Sequence, residues 1–325
     1  QIVSRNGSIE IVAPGAARIG GKLSANGGAG RKAGSITITS GDNTVIEGTA
    51  ELTARGEGAA SSGGSIIVKA GRDLAVLANS TFDASSGTSG DGGFIELSGK
   101  NRVDITNPKV RVVAAGGLGG TFLIDPADLV IAPGSNILMP GGNVILQATN
   151  TITVAAGGAI DTRDLDANGF SQGNSGGIRL EAPTISIVAG ASLLAQAVNG
   201  GGTSFTGGDI ALVATSAGSE FLLGGFTEAS SAITVAGTLR GRNVWIGATS
   251  TAISKYTDDA SDMVLFGAGV AAGMLTGLNG GYLEARAAAR VEIAGTAVVD
   301  GTGNVELYAR AQEEASDPIV SLSSQ

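Results

Sequence analysis

Two groups of carboxylates stand at spacings that could do chemistry. Asp164, Asp166, Asn168 and Gly169 (DLDANG) match the first half of a calcium loop, where alternate oxygens ring the ion and Gly permits the sharp turn. The twelfth position is Ser175 rather than a bidentate Glu, and no helical pattern flanks the segment. A polar turn closed by its own Asp and Asn side chains is expected there, with no metal. Asp125 and Asp128 (LIDPADL) bracket Pro126. Two carboxylates a few ångströms apart are the acid and base of polysaccharide hydrolysis. A single pair, without neighbouring acids or a basic residue close by, gives that chemistry little support, and Asp125 is expected to cap a turn that Pro126 fixes. Asp258, Asp259 and Asp262 offer no stronger case. No catalytic residue, cofactor or metal ligand is assigned, and the chain is not expected to be an enzyme.

Binding chemistry is better represented. Phe221, Phe226, Trp245, Tyr256, Phe266 and Tyr282 concentrate most of the aromatics in one region. Aromatic faces hold sugars and anchor protein interfaces, and they also fill cores. These six are the candidate interaction surface, with packing as the alternative. Asn6 (NGS) and Asn79 (NST) are glycosylation-type sequons.

Composition narrows the chemistry further. There is no His and no Cys, which excludes imidazole bases, Ser-His-Asp triads, thiol nucleophiles, disulfides and His or Cys metal centres. The net charge is −9, with 20 basic and 29 acidic residues, so a nucleic-acid or anionic-membrane partner is not expected. No stretch reaches 18 apolar residues, so membrane insertion is not expected, and no signal peptide is read at Gln1. Gly supplies 54 of 325 residues, about 17% against a usual share near 7%. With 42% apolar residues and only 7 Pro, the chain can bury a sizeable core.

The elements that position these residues repeat. Gly, a variable residue, then apolar–any–apolar recurs as GSITI (Gly34), GSIIV (Gly64), GFIEL (Gly93), GTFLI (Gly120) and GNVIL (Gly142). It returns as GGIRL (Gly176), GDIAL (Gly208), GYLEA (Gly281) and GNVEL (Gly303), with RNVWI (Arg242) as a variant. The intervals run from 22 to 39 residues with a mean of about 30. Short alternating runs lie between, such as TITVA (Thr151) and ISIV (Ile185), separated by Gly, Ser, Asn and Asp. About three short strands per period predict an all-β, right-handed parallel β-helix (β-solenoid) of about eleven coils, continuous over 1–325. Two β-sandwiches are the competing arrangement. Ile36 and Ile38, Ile66 and Val68, Ile95 and Leu97, Phe122 and Ile124, and Val144 and Leu146 are predicted to stack inward. Glycines such as Gly27–Gly28, Gly116–Gly120 and Gly200–Gly202 are expected to supply positive φ at corners. Residues 258–279 read as an inserted loop or short helix. The N-terminal strand Ile2–Val12 and the segment Ile319–Leu322 carry no charged cap and could leave open ends.

One block carries a resemblance. SGDGGFIELSGKNRVDITNPKVRVVAAGGLGGTFLIDPADLVI, from Ser89 to Ile131, resembles a segment of filamentous-haemagglutinin-type exoproteins, the large two-partner-secretion adhesins of Gram-negative bacteria. There a GDGGFVEVSGK-like stretch precedes a GTLLLDP-like strand; the counterparts are Gly90–Lys100 and Gly120–Pro126, and Gly64–Thr81 is similar to the family's coils. The resemblance implies a parallel β-helix, export through an outer-membrane transporter barrel, and a secreted or cell-surface location. It also implies adhesion, aggregation or biofilm formation against host-cell or biofilm polysaccharide and protein surfaces. The family's Asn-Pro-rich N-terminal secretion motif is missing, so an interior or C-terminal piece, or a shortened relative, is expected. The expected function is that of an extracellular adhesive rod. A filament subunit stacking end to end with its own copies is the alternative, and a polysaccharide-degrading enzyme comes third.

Overall fold

Period-2 alternation sends every second side chain to one side of a strand, and here those side chains fall into columns. Ile36, Ile66, Ile95, Phe122, Val144, Ile178, Ile210 and Val244 are consecutive partners in one parallel register, all at most 1% exposed. Ile38, Val68, Leu97, Ile124, Leu146, Leu180, Leu212 and Ile246 form the adjoining column and are fully buried. The ten residues predicted to stack inward do so. The computed structural model describes residues 2–5, 7–114, 116–200, 204–220, 226–255 and 284–316, and these contain no helix.

Three columns of strands result. The first holds β2 (Ser8–Ala13), β5 (Ser35–Ser40), β8 (Ser65–Ala70), β11 (Phe94–Ile105), β13 (Thr121–Ile131), β15 (Asn143–Gln147), β18 (Ile178–Glu181), β21 (Ile210–Glu220), β24 (Val244–Lys255) and β27 (Val305–Ser316). The second holds β3 (Ala17–Ile19), β6 (Thr44–Ile46), β9 (Asp73–Val76), the later halves of β11 and β13, β16 (Thr151–Val154), β19 (Thr184–Ile187), β22 (Phe226–Val235) and β25 (Glu284–Ile293). The third holds β4 (Lys22–Ser24), β7 (Glu51–Thr53), β10 (Thr81–Asp83) and β12 (Lys109–Arg111), then β14 (Asn136–Leu138), β17 (Ala159–Asp161), β20 (Ser192–Leu194), β23 (Thr238–Gly241) and β26 (Val298–Gly301). Long parallel strands in stacked sheets are the arrangement of a β-solenoid, with an apolar core inside the three columns.

The strand-leading glycines have a reason other than φ. A Cβ at Gly64 would collide with the carbonyl oxygen of Gly34, one at Gly93 with that of Gly64, and one at Gly120 with that of Gly93. Backbone presses on backbone at this corner in pass after pass, and only Gly fits. The expected positive φ at Gly27–Gly28 and Gly116–Gly120 is absent; in that stretch too, an added Cβ would strike neighbouring backbone at Gly119 and Gly120. Gly201 and Gly202 lie outside the described residues.

Two expectations meet a different structure, and a third falls where nothing is described. Ile2–Val12 is not one strand: β1 (Ile2–Arg5) folds back antiparallel on β2, pairing Ile2 with Ile11 and Arg5 with Ser8. GYLEA does not lead a first-column strand, because β25 pairs with β22 in the second column. Residues 258–279 and Ile319–Leu322 lie outside the described residues.

Candidate interaction surfaces

The third column is split. β12 pairs only with β10 and β14 only with β17, so a four-stranded and a five-stranded sheet meet without a ladder between them. Among the described residues a side-chain bridge, from the Asn136 backbone N–H to Asn107 Oδ1 at 3.1 Å, spans the junction. The split opens a cleft of about 690 Å³, within the usual range for ligand sites. β12 and β14 form its floor, and the corner carrying Leu165 and Gln172 forms its rim.

That corner is the acidic segment singled out by its calcium-like spacing. Asp166 Oδ1 accepts the backbone N–H groups of Asn168 and Phe170, both at 2.9 Å, and Gly169 adopts a φ of 82°. The N–H of Phe170, foremost among several such bonds, holds the Asp166 carboxyl below its ordinary value. Asp164 accepts from Gln172 Nε2 at 3.0 Å. These oxygens close a turn, as the polar-turn reading requires.

Asp125 and Asp128 are not brought together. Asp125 lies on the first column beyond Ser98, whereas Asp128 lies on the second and accepts Thr151 Oγ1 at 2.7 Å. Asp125 sits in extended strand and makes no turn cap, because β13 continues as strand through Pro126 while passing from the first column to the second. It instead joins a cluster that the sequence reading missed. Glu96 accepts Lys69 Nζ at 2.9 Å and Ser98 Oγ at 2.8 Å. Desolvation first, then the charge of Glu96, raises the Asp125 carboxyl above its usual value, while Lys69 opposes the rise. Register alone unites residues 29 and 27 positions apart in sequence.

Of the six candidate aromatics, Trp245 is described with its side chain. It lies half-buried on the outer side of β24, 5.1 Å from the ring of Tyr308 at an interplanar angle of 58°. Phe226 begins β22, and the surroundings of its ring lie outside the description; Phe221, Tyr256, Phe266 and Tyr282 lie outside the described residues. Tyr308 and the exposed Phe170 were not among the six.

A polar ladder runs up one corner beside the core. Asn143 Oδ1 accepts the backbone N–H of Gly177 at 2.8 Å, Asp209 Oδ1 that of Asn243 at 3.2 Å, and Asn243 Oδ1 that of Asn304 at 3.0 Å. Arg242 adds a two-pronged ion pair to Asp209, at 2.9 and 2.7 Å. The Asn or Asp before Val or Ile in GNVIL, GDIAL, RNVWI and GNVEL is the signal that could have revealed it. No metal-competent group of three or more acidic side chains occurs among the described residues. No protein-family model, curated protein or solved structure matches the chain.

Proposed function

We propose that the chain is a segment of an extracellular adhesive rod. It would be a right-handed parallel β-helix of about eleven coils, on the order of 50 Å long at ~4.8 Å per coil. The observation that carries this reading is the uninterrupted parallel register of the first column from β2 to β27, coil on coil. Such a stack is stiff along its axis and holds its lateral corners at fixed heights, which suits display of binding surfaces away from a cell. The block Ser89–Ile131, with its exoprotein-like spacing, supports secretion through an outer-membrane transporter barrel to a Gram-negative surface, where adhesion or biofilm formation would follow. Latex beads coated with the purified chain test the reading. They are expected to adhere to epithelial cells or to biofilm matrix above uncoated beads; adhesion to neither retires it.

End-to-end association is a second reading, supported by the state of β27, the last described pass. Val305 and Leu307 occupy the core columns yet are 44% and 46% exposed, and among the described residues β27 pairs on one side only, with β24. At the other end β1 already covers β2 in antiparallel sense, so head-to-tail addition would have to displace it. Negative-stain images separate the readings: discrete short rods for the first, long fibres for the second.

A further inference from the structure

From the cleft at the split third column we infer a binding site for a carboxylate-bearing saccharide. Cations on this rod are commonly engaged by acids, as in Lys22–Glu51 at 2.9 Å and Arg163–Asp161 at 2.6 Å. Lys109 and Arg111, exposed on β12 and pointing to the same side of it, have no side-chain partner among the described residues. Asp83, beneath Arg111 in register, is engaged by Ser85 and Arg55. Both free cations line the 690 Å³ cleft, and Asp164 lines it as well, carrying a carboxylate that accepts from Gln172.

This mixture selects the ligand. Two adjacent unpaired cations call for an anionic group, and Arg presents the fork that a carboxylate fits. Asp164 repels a dense polyanion but accepts hydrogen bonds from hydroxyls, so the ligand needs both an acid and neutral donors. Leu138, 57% exposed on the cleft floor, supplies an apolar face for ring C–H groups. A uronic- or sialic-acid-containing glycan has all three features. A sulfated polyanion sets a denser negative charge against Asp164, and polyglutamate offers no hydroxyls.

The site is independent of whether the rod adheres to cells, because the isolated chain can be titrated. The probes are trigalacturonate and 3′-sialyllactose at low salt, each beside its methyl ester. At least one acid is expected to bind about tenfold more tightly than its ester, and the tighter acid identifies the source. Lys109→Ala/Arg111→Ala is expected to weaken that binding about tenfold or more. Lys100→Ala, at an exposed residue outside the cleft lining, should leave it unchanged. Lys109→Gln/Arg111→Gln, checked by circular dichroism, repeats the test with side-chain length retained. Binding of neither acid overturns the inference, as does equal binding of acid and ester. Undiminished binding by both double variants, or equally tight binding of polyglutamate, overturns it as well.

Discussion

Asn243 Oδ1 accepts the backbone N–H of Asn304 at 3.0 Å across 61 residues of chain, while Asn243 Nδ2 donates to Asp209 Oδ1 at 2.8 Å. One side chain thus ties three passes together at a corner where the first-column strands begin. Asn243→Ala removes both bonds, one from the exposed N–H of Asn304 and one to the part-buried carboxylate of Asp209, each worth about 0.5–1.5 kcal/mol. The expected loss is about 1–3 kcal/mol in urea unfolding. A loss below a few tenths would mean that solvent serves the corner equally well.

The glycine corners make a sharper comparison. At Gly93 an added methyl group meets the carbonyl of Gly64 and the backbone of Ala84, neither of which can move without breaking the stack. Gly93→Ala is expected to destabilise by about 1–3 kcal/mol or more through overpacking. Gly134 has a φ of 73° and nothing within 4 Å of an added Cβ. Gly134→Asn should therefore cost little, since Asn tolerates that region. Thermal melts of the two variants decide the matter, and equal losses would remove close stacking as the cause.

What was legible followed from period. Ile36, Leu97 and Phe122 could be placed inward because alternation fixes the face of a strand whatever its partner. The folding-back of β1 was legible too, since Asn6-Gly7 between alternating apolar residues is a hairpin signal, but it was read through as one strand. The split of the third column was not, because its strands are three or four residues long and too short for a pattern to declare a missing partner. The meeting of Lys69, Glu96 and Asp125 needs the register of three passes, which no local signal carries. Clusters such as Gly27–Gly28 and Gly116–Gly120 carry an expected φ role because sequence shows that Gly is required without showing whether torsion or proximity requires it.

Two carboxylates should give opposite pH responses. The Asp209 carboxyl is held low, chiefly by the Arg242 hydrogen bonds, so its contribution is present above the unfolded value of about 3.9 and fades as pH falls through the folded value. The Asp125 carboxyl is held high by desolvation and Glu96, so its ionised form opposes folding above its folded value. That opposition vanishes as pH falls below the unfolded value. Asp125→Asn is therefore expected to raise Tm at pH 7 and to make no difference near pH 3, whereas Asp209→Asn lowers Tm at pH 7. Both residues are largely solvent-screened, so the shifts should be small. A lower Tm at pH 7 for Asp125→Asn would contradict the assigned cause.

Trp245 is the sole Trp and reports on the last described passes. Its partner Tyr308 lies against Gly247, where an added Cβ would strike the phenol ring, so the absence of a side chain there seats the ring beside the indole. A tilted aromatic pair contributes about 0.5–1.5 kcal/mol beyond its area. Stacked repeats contact only their neighbours, so a loss at one end is felt locally before it is felt globally. Tyr308→Ala should red-shift the Trp245 emission in the native state and bring its fluorescence transition ahead of the circular-dichroism transition of the whole stack. Tyr308→Phe, which keeps the ring, should do neither. Coincident transitions in Tyr308→Ala would mean that the last described passes unfold as one unit with the rest, and that the exposure of Val305 and Leu307 does not mark local weakness.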